Sequence, residues 1–400
     1  MSQYLKKSTT PAISSHEYQD ITQHEIEALK FEYNLADAHT HQSQSPSQKK
    51  IVERLPELWF ESEKTKQHDM EQKFIKNFFR VQGQYKALEP NNALLVYAAS
   101  IAMVITANYL LKTKMSVSLM EPCFDNIHDI LKHMQIAVEP LKEEWFYDEN
   151  KIYENLKKNV KTDALFIIDP NNPTGFTLFA KGKKAYQELL RYAKDENKLL
   201  LFDFCFASFM LPDTNLDVFD LYELLEESRV RYIAIEDTGK TWPVQDTKAA
   251  LIKCSQDIYP EIYNIHTSYL LNVSPFILNV LNEYILDSEK DGFASVYDLL
   301  EKNRELVKRE LAGSLLEFQE PKAKTSVTWF KIKNHHIKAT DLQKVILDGG
   351  VYVLPGTYFF WGDHAKGEQY IRIALARNTD MFEAAIKKLR LIINNYEKTI

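Results

Sequence analysis

Between about residues 94 and 253 the chain alternates short apolar runs with longer amphipathic stretches. LLVYA (94–98), SVSLM (116–120), QIAVEP (135–140), ALFIID (164–169), KLLLFDF (198–204), RYIAIED (231–237) and AALIKC (249–254) have strand length. The stretches between them, Lys181–Asp195 for example, read as helices. Apolar strands separated by helices predict an α/β fold with a mostly parallel sheet covered on both faces. Upstream, Ile13–Tyr33 reads as a helix with Ile21, Ile26, Leu29 and Phe31 near its helical period. A polar connection, NLADAHTHQSQSPSQ, follows, then helical segments around Gln48–Leu58 and Glu63–Gln84. Downstream lie a long helical stretch from about 275 to Leu311, TSVTWFKIK (325–333), a helix near Ala339–Leu347, VYVLP (351–355), YIRIAL (370–375) and a last helix Thr379–Tyr396. This reads as a second, smaller α+β unit.

Composition narrows the function class. Of 400 residues, 45% are hydrophobic and 12% aromatic, which predicts a real core. The formal net charge of −7 excludes a general nucleic-acid binder, which needs a basic surface. Three scattered cysteines give neither a disulfide framework nor a zinc motif. The start of the chain has no apolar signal region, so a cytoplasmic location is expected. Ala93–Leu111 is an uncharged run interrupted by Ser100, Thr106 and Asn108, and reads as a buried strand passing into a buried helix rather than a membrane span. With 11 glycines, any phosphate loop must work with few of them.

The candidate chemistry falls at the carboxyl ends of the apolar strands, where ligands of such sheets bind. IIDPNNPTGFTLF (167–179) predicts a sharp loop that displays the Asn172 amide. Asp203 closes LLLFDF, and a carboxylate there needs a cation, either a structural partner or a protonated ring nitrogen. Lys240, in IEDTGKTWP, follows another strand and is a loop lysine or a Schiff-base nucleophile. Ser100, at a strand-to-helix junction, and Lys248 are suited to hold a phosphate. Arg372, inside YIRIAL, predicts a carboxylate partner.

NNPTG, a strand-end aspartate, a lysine with a base eight residues on and a late YIRIALA arginine, in this order, resemble the class I/II aminotransferase family, fold-type I enzymes that use pyridoxal 5′-phosphate (PLP). The resemblance runs from about Asn92 to the C-terminus. It implies that Lys240 forms the Schiff base, Asp203 pairs with the pyridine nitrogen and Asn172 bonds the ring O3′. By the same resemblance Phe124 stacks on the ring, Ser100 and Lys248 hold the phosphate, and Arg372 grips the substrate α-carboxylate. It further implies a large PLP-binding domain (48–285), a small C-terminal domain (286–400), a segment 1–47 joining the small domain to the active site, and a homodimer. Three departures stand out: Phe206 replaces a tyrosine, Ala98 a common glycine, and Asp237 and Gly239 the serines usual before the lysine.

Glu25, NLADAH with Asp37 and His39, and EDTGKTWP resemble a narrower subgroup, the PLP-dependent arginine oxidases and hydroxylases. That resemblance implies that Glu25, Asp37 and Asp237 hold a guanidinium, and that His39 assists a reaction with O2. The implied activity is O2-dependent oxidation, with or without hydroxylation, of L-arginine or a similar cationic amino acid. No nucleic-acid or membrane partner is expected. Three alternatives remain open: an ordinary aminotransferase, a metal-dependent amidohydrolase built on DAHTH (37–41), and a PLP-type fold serving only as a binding module.

Overall fold

The computed structural model describes residues 20–89 and 92–399. All seven predicted strands of the central region form, as β2 (Ala93–Val96), β3 (Val117–Glu121), β4 (Val138–Lys142), β5 (Ala164–Ile168), β6 (Leu199–Asp203), β7 (Tyr232–Asp237) and β8 (Ala250–Cys254). They build one sheet in the order β2-β8-β7-β6-β5-β3-β4. β8 is antiparallel to both neighbours, and the remaining pairs are parallel. β3, β5, β6, β7 and β8 are buried along their whole length, which is why they read as unbroken apolar runs. β2 runs with the parallel set, and β8 runs against it. The carboxyl ends of β2, β3, β5, β6 and β7 and the start of β8 therefore share one edge.

The apolar run at residues 93–111 is β2 followed by the helix Ala99–Thr113. Among the described residues no helix is long and apolar enough to cross a membrane.

A four-stranded sheet, β12-β13-β10-β9, carries the C-terminal unit: β9 (Leu316–Gln319), β10 (Val327–Ile332), β12 (Leu354–Pro355) and β13 (Tyr370–Ala374). Separately, β1 (Tyr33–Asn34) pairs in parallel with β11 (Val351–Tyr352). Part of the helix expected over Ile13–Tyr33 lies outside the described residues. The described helix, α1, is Ile21–Ala28, and Tyr33 belongs to a strand instead. The stretch from 275 to 311 is two helices, Pro275–Asp291 and Ala294–Glu310, broken where Gly292 and Phe293 turn left-handed (φ 62° and 65°). Gly175 joins the two units. Its φ is +67°, its carbonyl accepts from Lys322 and Ala323, and an added Cβ would lie 2.4 Å from Pro321.

Candidate active site

Loops after five parallel strands, together with the start of β8, surround a cavity of about 260 Å³. β2 leads to Ala98 and Ser100, β3 to Phe124, β5 to Asn172, β6 ends at Asp203, and β7 leads through Asp237 to Lys240. Lys248 arrives from the opposite direction, immediately before the antiparallel β8. Glu25 from α1 and His39 from the loop after β1 complete the wall. Of the residues singled out by sequence, Asp37 and Arg372 do not line the cavity; each stands one layer behind.

Asp203 and Asp237 are both buried, and burial raises both carboxyls above their ordinary range. The thiol and backbone N–H of Cys205 partly offset this at Asp203, and Lys240 does so at Asp237. The Cys205 N–H donates to Asp203 Oδ1 at 2.9 Å. Asp237 Oδ1 is buried with no hydrogen-bond partner among the described residues. Gly239 leaves room here: an added Cβ would sit 2.8 Å from Lys248 Cδ and 3.1 Å from Asp237 Oδ2. The helix Ala99–Thr113 begins with Ala98 as its cap and no side-chain cap, and the Ile101 N–H donates to the Ala98 carbonyl at 3.0 Å, so among the described residues the N–H groups of Ala99 and Ser100 are left to meet an anion. Lys248 Nζ lies 3.2 Å from Asp246.

His39 Nε2 lies 3.0 Å from Lys240 Nζ. Its other nitrogen donates to Asp37 Oδ1 at 2.6 Å, and His41 Nε2 donates to Asp37 Oδ2 at 2.5 Å. Burial pushes the Asp37 carboxyl up, but the two imidazoles outweigh it and hold the group well below the usual carboxylate range. An acceptor-only carboxylate fixes the His39 proton on Nδ1 and leaves Nε2 to accept from Lys240. Thr40 ties this loop to the lysine segment by donating to the Trp242 carbonyl at 2.8 Å.

Arg372 is fully buried. It donates to Glu25 Oε1 at 2.8 Å, to Asn172 Oδ1 at 3.3 Å and to the Ala36 carbonyl. Glu25 also accepts from the Ala38 N–H at 3.3 Å. The residue that sequence reasoning missed is Arg377, five positions on and equally buried. Its guanidinium donates to the carbonyls of Asn34 (2.8 Å), Asp37 (2.6 Å) and His39 (3.0 Å). Burial lowers its pKa to about 10. A second arginine inside IRIALAR was the available signal. Asp125, also missed, caps α1 by accepting from the Ile21 N–H at 2.9 Å.

The DAHTH segment does not form the two-histidine centre that an amidohydrolase needs: Glu25, Asp37 and His39 each bring one possible ligand atom within 4.8 Å of the others, but His41 is not part of that group. DAHTH lies on a loop after a two-residue strand outside the large sheet, and its two histidines turn to the two oxygens of Asp37.

Among solved structures, the chain is similar to MppP, described as soaked with the product 2-ketoarginine. The TM-score is 0.80 and the identity 31%, covering 90% of this chain and 99% of that one. The alpha-aminoadipate aminotransferase LysN of Thermus thermophilus, complexed with N-(5′-phosphopyridoxyl)-L-leucine, shares the fold at TM-score 0.78 and 13% identity, over 96% of both chains. Aromatic-amino-acid aminotransferase 2 of Thermococcus litoralis is 23% identical over 257 residues, 62% of each protein. LL-diaminopimelate aminotransferase of Protochlamydia amoebophila is 36% identical over 62 residues, 16% of this chain and 14% of that protein. These alignments span less than two thirds of the curated relatives' length. The model of one family, Aminotransferase class I and II, matches residues 33–389, and the chain therefore belongs to that family.

Proposed function

We propose that the protein is a PLP-dependent enzyme that oxidises a cationic L-α-amino acid, L-arginine first among them, with O2 as electron acceptor. The observation that carries this reading is the contact between His39 and Lys240 at 3.0 Å, on a cavity whose walls include the acids Glu25 and Asp237. The 31% identity to a protein whose product is named as 2-ketoarginine supports the choice of substrate.

The cavity suits the cofactor. A lysine amine and a buried strand-end carboxylate face it, and an uncapped helix start with Lys248 nearby offers a cradle for a phosphate. Bound PLP supplies an electron sink for the substrate's Cα. In this reading Lys240 bears the cofactor, Asp203 holds the proton of the ring nitrogen, Asn172 bonds the ring oxygen, and Phe124 offers the ring an apolar face. Ser100 and Lys248 take the phosphate. Arg372 binds the α-carboxylate and Asp237 receives the cationic side chain. Asp37 orients His39, which exchanges a proton with the Lys240 amine. A homodimer is part of the same reading.

Family membership also favours a second reading, amino transfer to an oxo acid, which uses the same Asn172, Asp203, Lys240 and Arg372. An oxygen electrode separates the two. The first reading predicts O2 uptake with L-arginine, formation of the keto acid and no need for an oxo-acid acceptor. Keto-acid formation only with an added acceptor, and no O2 uptake, would establish amino transfer.

A further inference from the structure

Arg372 has no exposed surface and is absent from the cavity wall, whereas Glu25 and Asn172, which both bond to it, are part of that wall. A carboxylate entering the cavity therefore meets Arg372 only after Glu25 has left it. Resting on the assignment of Arg372 as the α-carboxylate receptor, we propose that Glu25 is a specificity-determining plug: it occupies Arg372 in the empty site and yields it only to a ligand that carries both a carboxylate and a cation.

Removing Glu25 from Arg372 leaves a carboxylate that is almost fully enclosed, and a buried anion without a partner is strongly disfavoured. A ligand with a carboxylate alone satisfies Arg372 but strands Glu25. A ligand with a cation at its far end satisfies both, because the displaced Glu25 still lines the cavity and can pair with that cation. Asp237, also part of the cavity wall, has a buried oxygen with no partner among the described residues and adds to the same demand for positive charge. The exchange conserves ion pairs only for the dipolar ligand, and this is discrimination by an unpaired charge in the wrong complex.

The plug also bears on the choice between oxidation and amino transfer. Amino transfer needs a second substrate, an oxo acid, to reach Arg372. An oxo acid without a cationic side chain is the ligand that strands Glu25, so the usual acceptors are held off and the amino group is not passed on by that route.

The test uses unreactive ligands on the PLP-loaded protein, with dissociation constants measured by calorimetry. γ-Guanidinobutyrate carries both charges, and hexanoate carries the carboxylate alone. The wild type is expected to bind γ-guanidinobutyrate at least tenfold more tightly than hexanoate. In Glu25→Gln the two should move in opposite directions. Binding of γ-guanidinobutyrate weakens and that of hexanoate strengthens, each by roughly tenfold, about what one charge-assisted hydrogen bond contributes. Glu25→Ala serves as a second variant if the amide retains the contact. If both ligands weaken together in both variants, or hexanoate binding does not change, Glu25 is not a plug. If Arg372→Met leaves γ-guanidinobutyrate binding at the wild-type level, the receptor assignment itself falls, and the plug with it.

Discussion

His39 Nε2 and Lys240 Nζ lie 3.0 Å apart although the two residues are 201 positions apart in the chain. The contact rests on two buried supports. Asp37 fixes the imidazole tautomer, and Arg377 fixes the loop by holding three of its carbonyls. His41 occupies the second oxygen of Asp37, so that carboxylate is already committed to two imidazoles.

If His39 exchanges a proton with Lys240, then His39→Gln should lower kcat by about a hundredfold, within the ~10²–10⁴ range for positioned proton-transfer groups. KM for L-arginine should change little. His39→Gln with wild-type kcat would remove the imidazole from the mechanism.

Arg377 gives a separate expectation. Arg377→Met leaves the buried carbonyls of Asn34 and Asp37 and the partly buried carbonyl of His39 without this donor, which should destabilise the protein by about 3 kcal/mol. Hydrogen exchange should quicken at residues 34–41 before it does in the large sheet. Unchanged protection there would mean that the loop is held by other contacts.

Two buried carboxyls should leave a mark on stability against pH. Burial raises Asp125 and Glu236 to about 8. Their unfolded values lie near ~4, so between pH ~4 and ~8 the folded protein binds more protons than the unfolded chain. Each group therefore contributes stability at low pH that is lost as pH rises through its folded value. His24, lowered to about 4 by burial, acts in the opposite sense below pH ~6.5. The contributions separate by difference: melting temperatures of Asp125→Asn and Glu236→Gln should each fall less steeply with pH than the wild type. Parallel curves would place these carboxyls in an ordinary ionisation range.

Much of this was legible in the chain. β3, β5, β6, β7 and β8 could be read because residues buried on both faces leave continuous apolar runs, whereas β4, largely exposed at the sheet edge, starts three residues later than the run that predicted it. Strand order and the reversal of β8 could not, since they are set by pairing between distant segments. β1 and β11, two residues each, are too short for any periodicity to mark. Among site residues, Lys240, Asp203 and Asn172 follow strand ends, a local signal. The pairing of Glu25 with Arg372 spans 347 positions, and that of Arg377 with the Asn34 carbonyl spans 343. Neither guanidinium could be assigned its partner before the loops were in place. The helix expected to reach Tyr33 ends at Ala28, because the chain must turn to deliver Asn34 to Val351–Tyr352 and the following loop to Arg377.

The cofactor assignment has its own check. Lys240→Ala should abolish a visible absorption band that borohydride bleaches in the wild type. Asp203→Asn should keep the lysine linkage but slow turnover at least tenfold, through loss of the charge beside the ring nitrogen. A band that survives Lys240→Ala would move the linkage to another amine.

The most direct measurement is the visible spectrum of the purified protein mixed with L-arginine, recorded under nitrogen and then in air. A substrate-dependent spectral change that persists under nitrogen and decays when air is admitted, with keto acid formed in step, is the predicted result. A change that runs to completion under nitrogen and is reversed by an oxo acid rather than by air would contradict it.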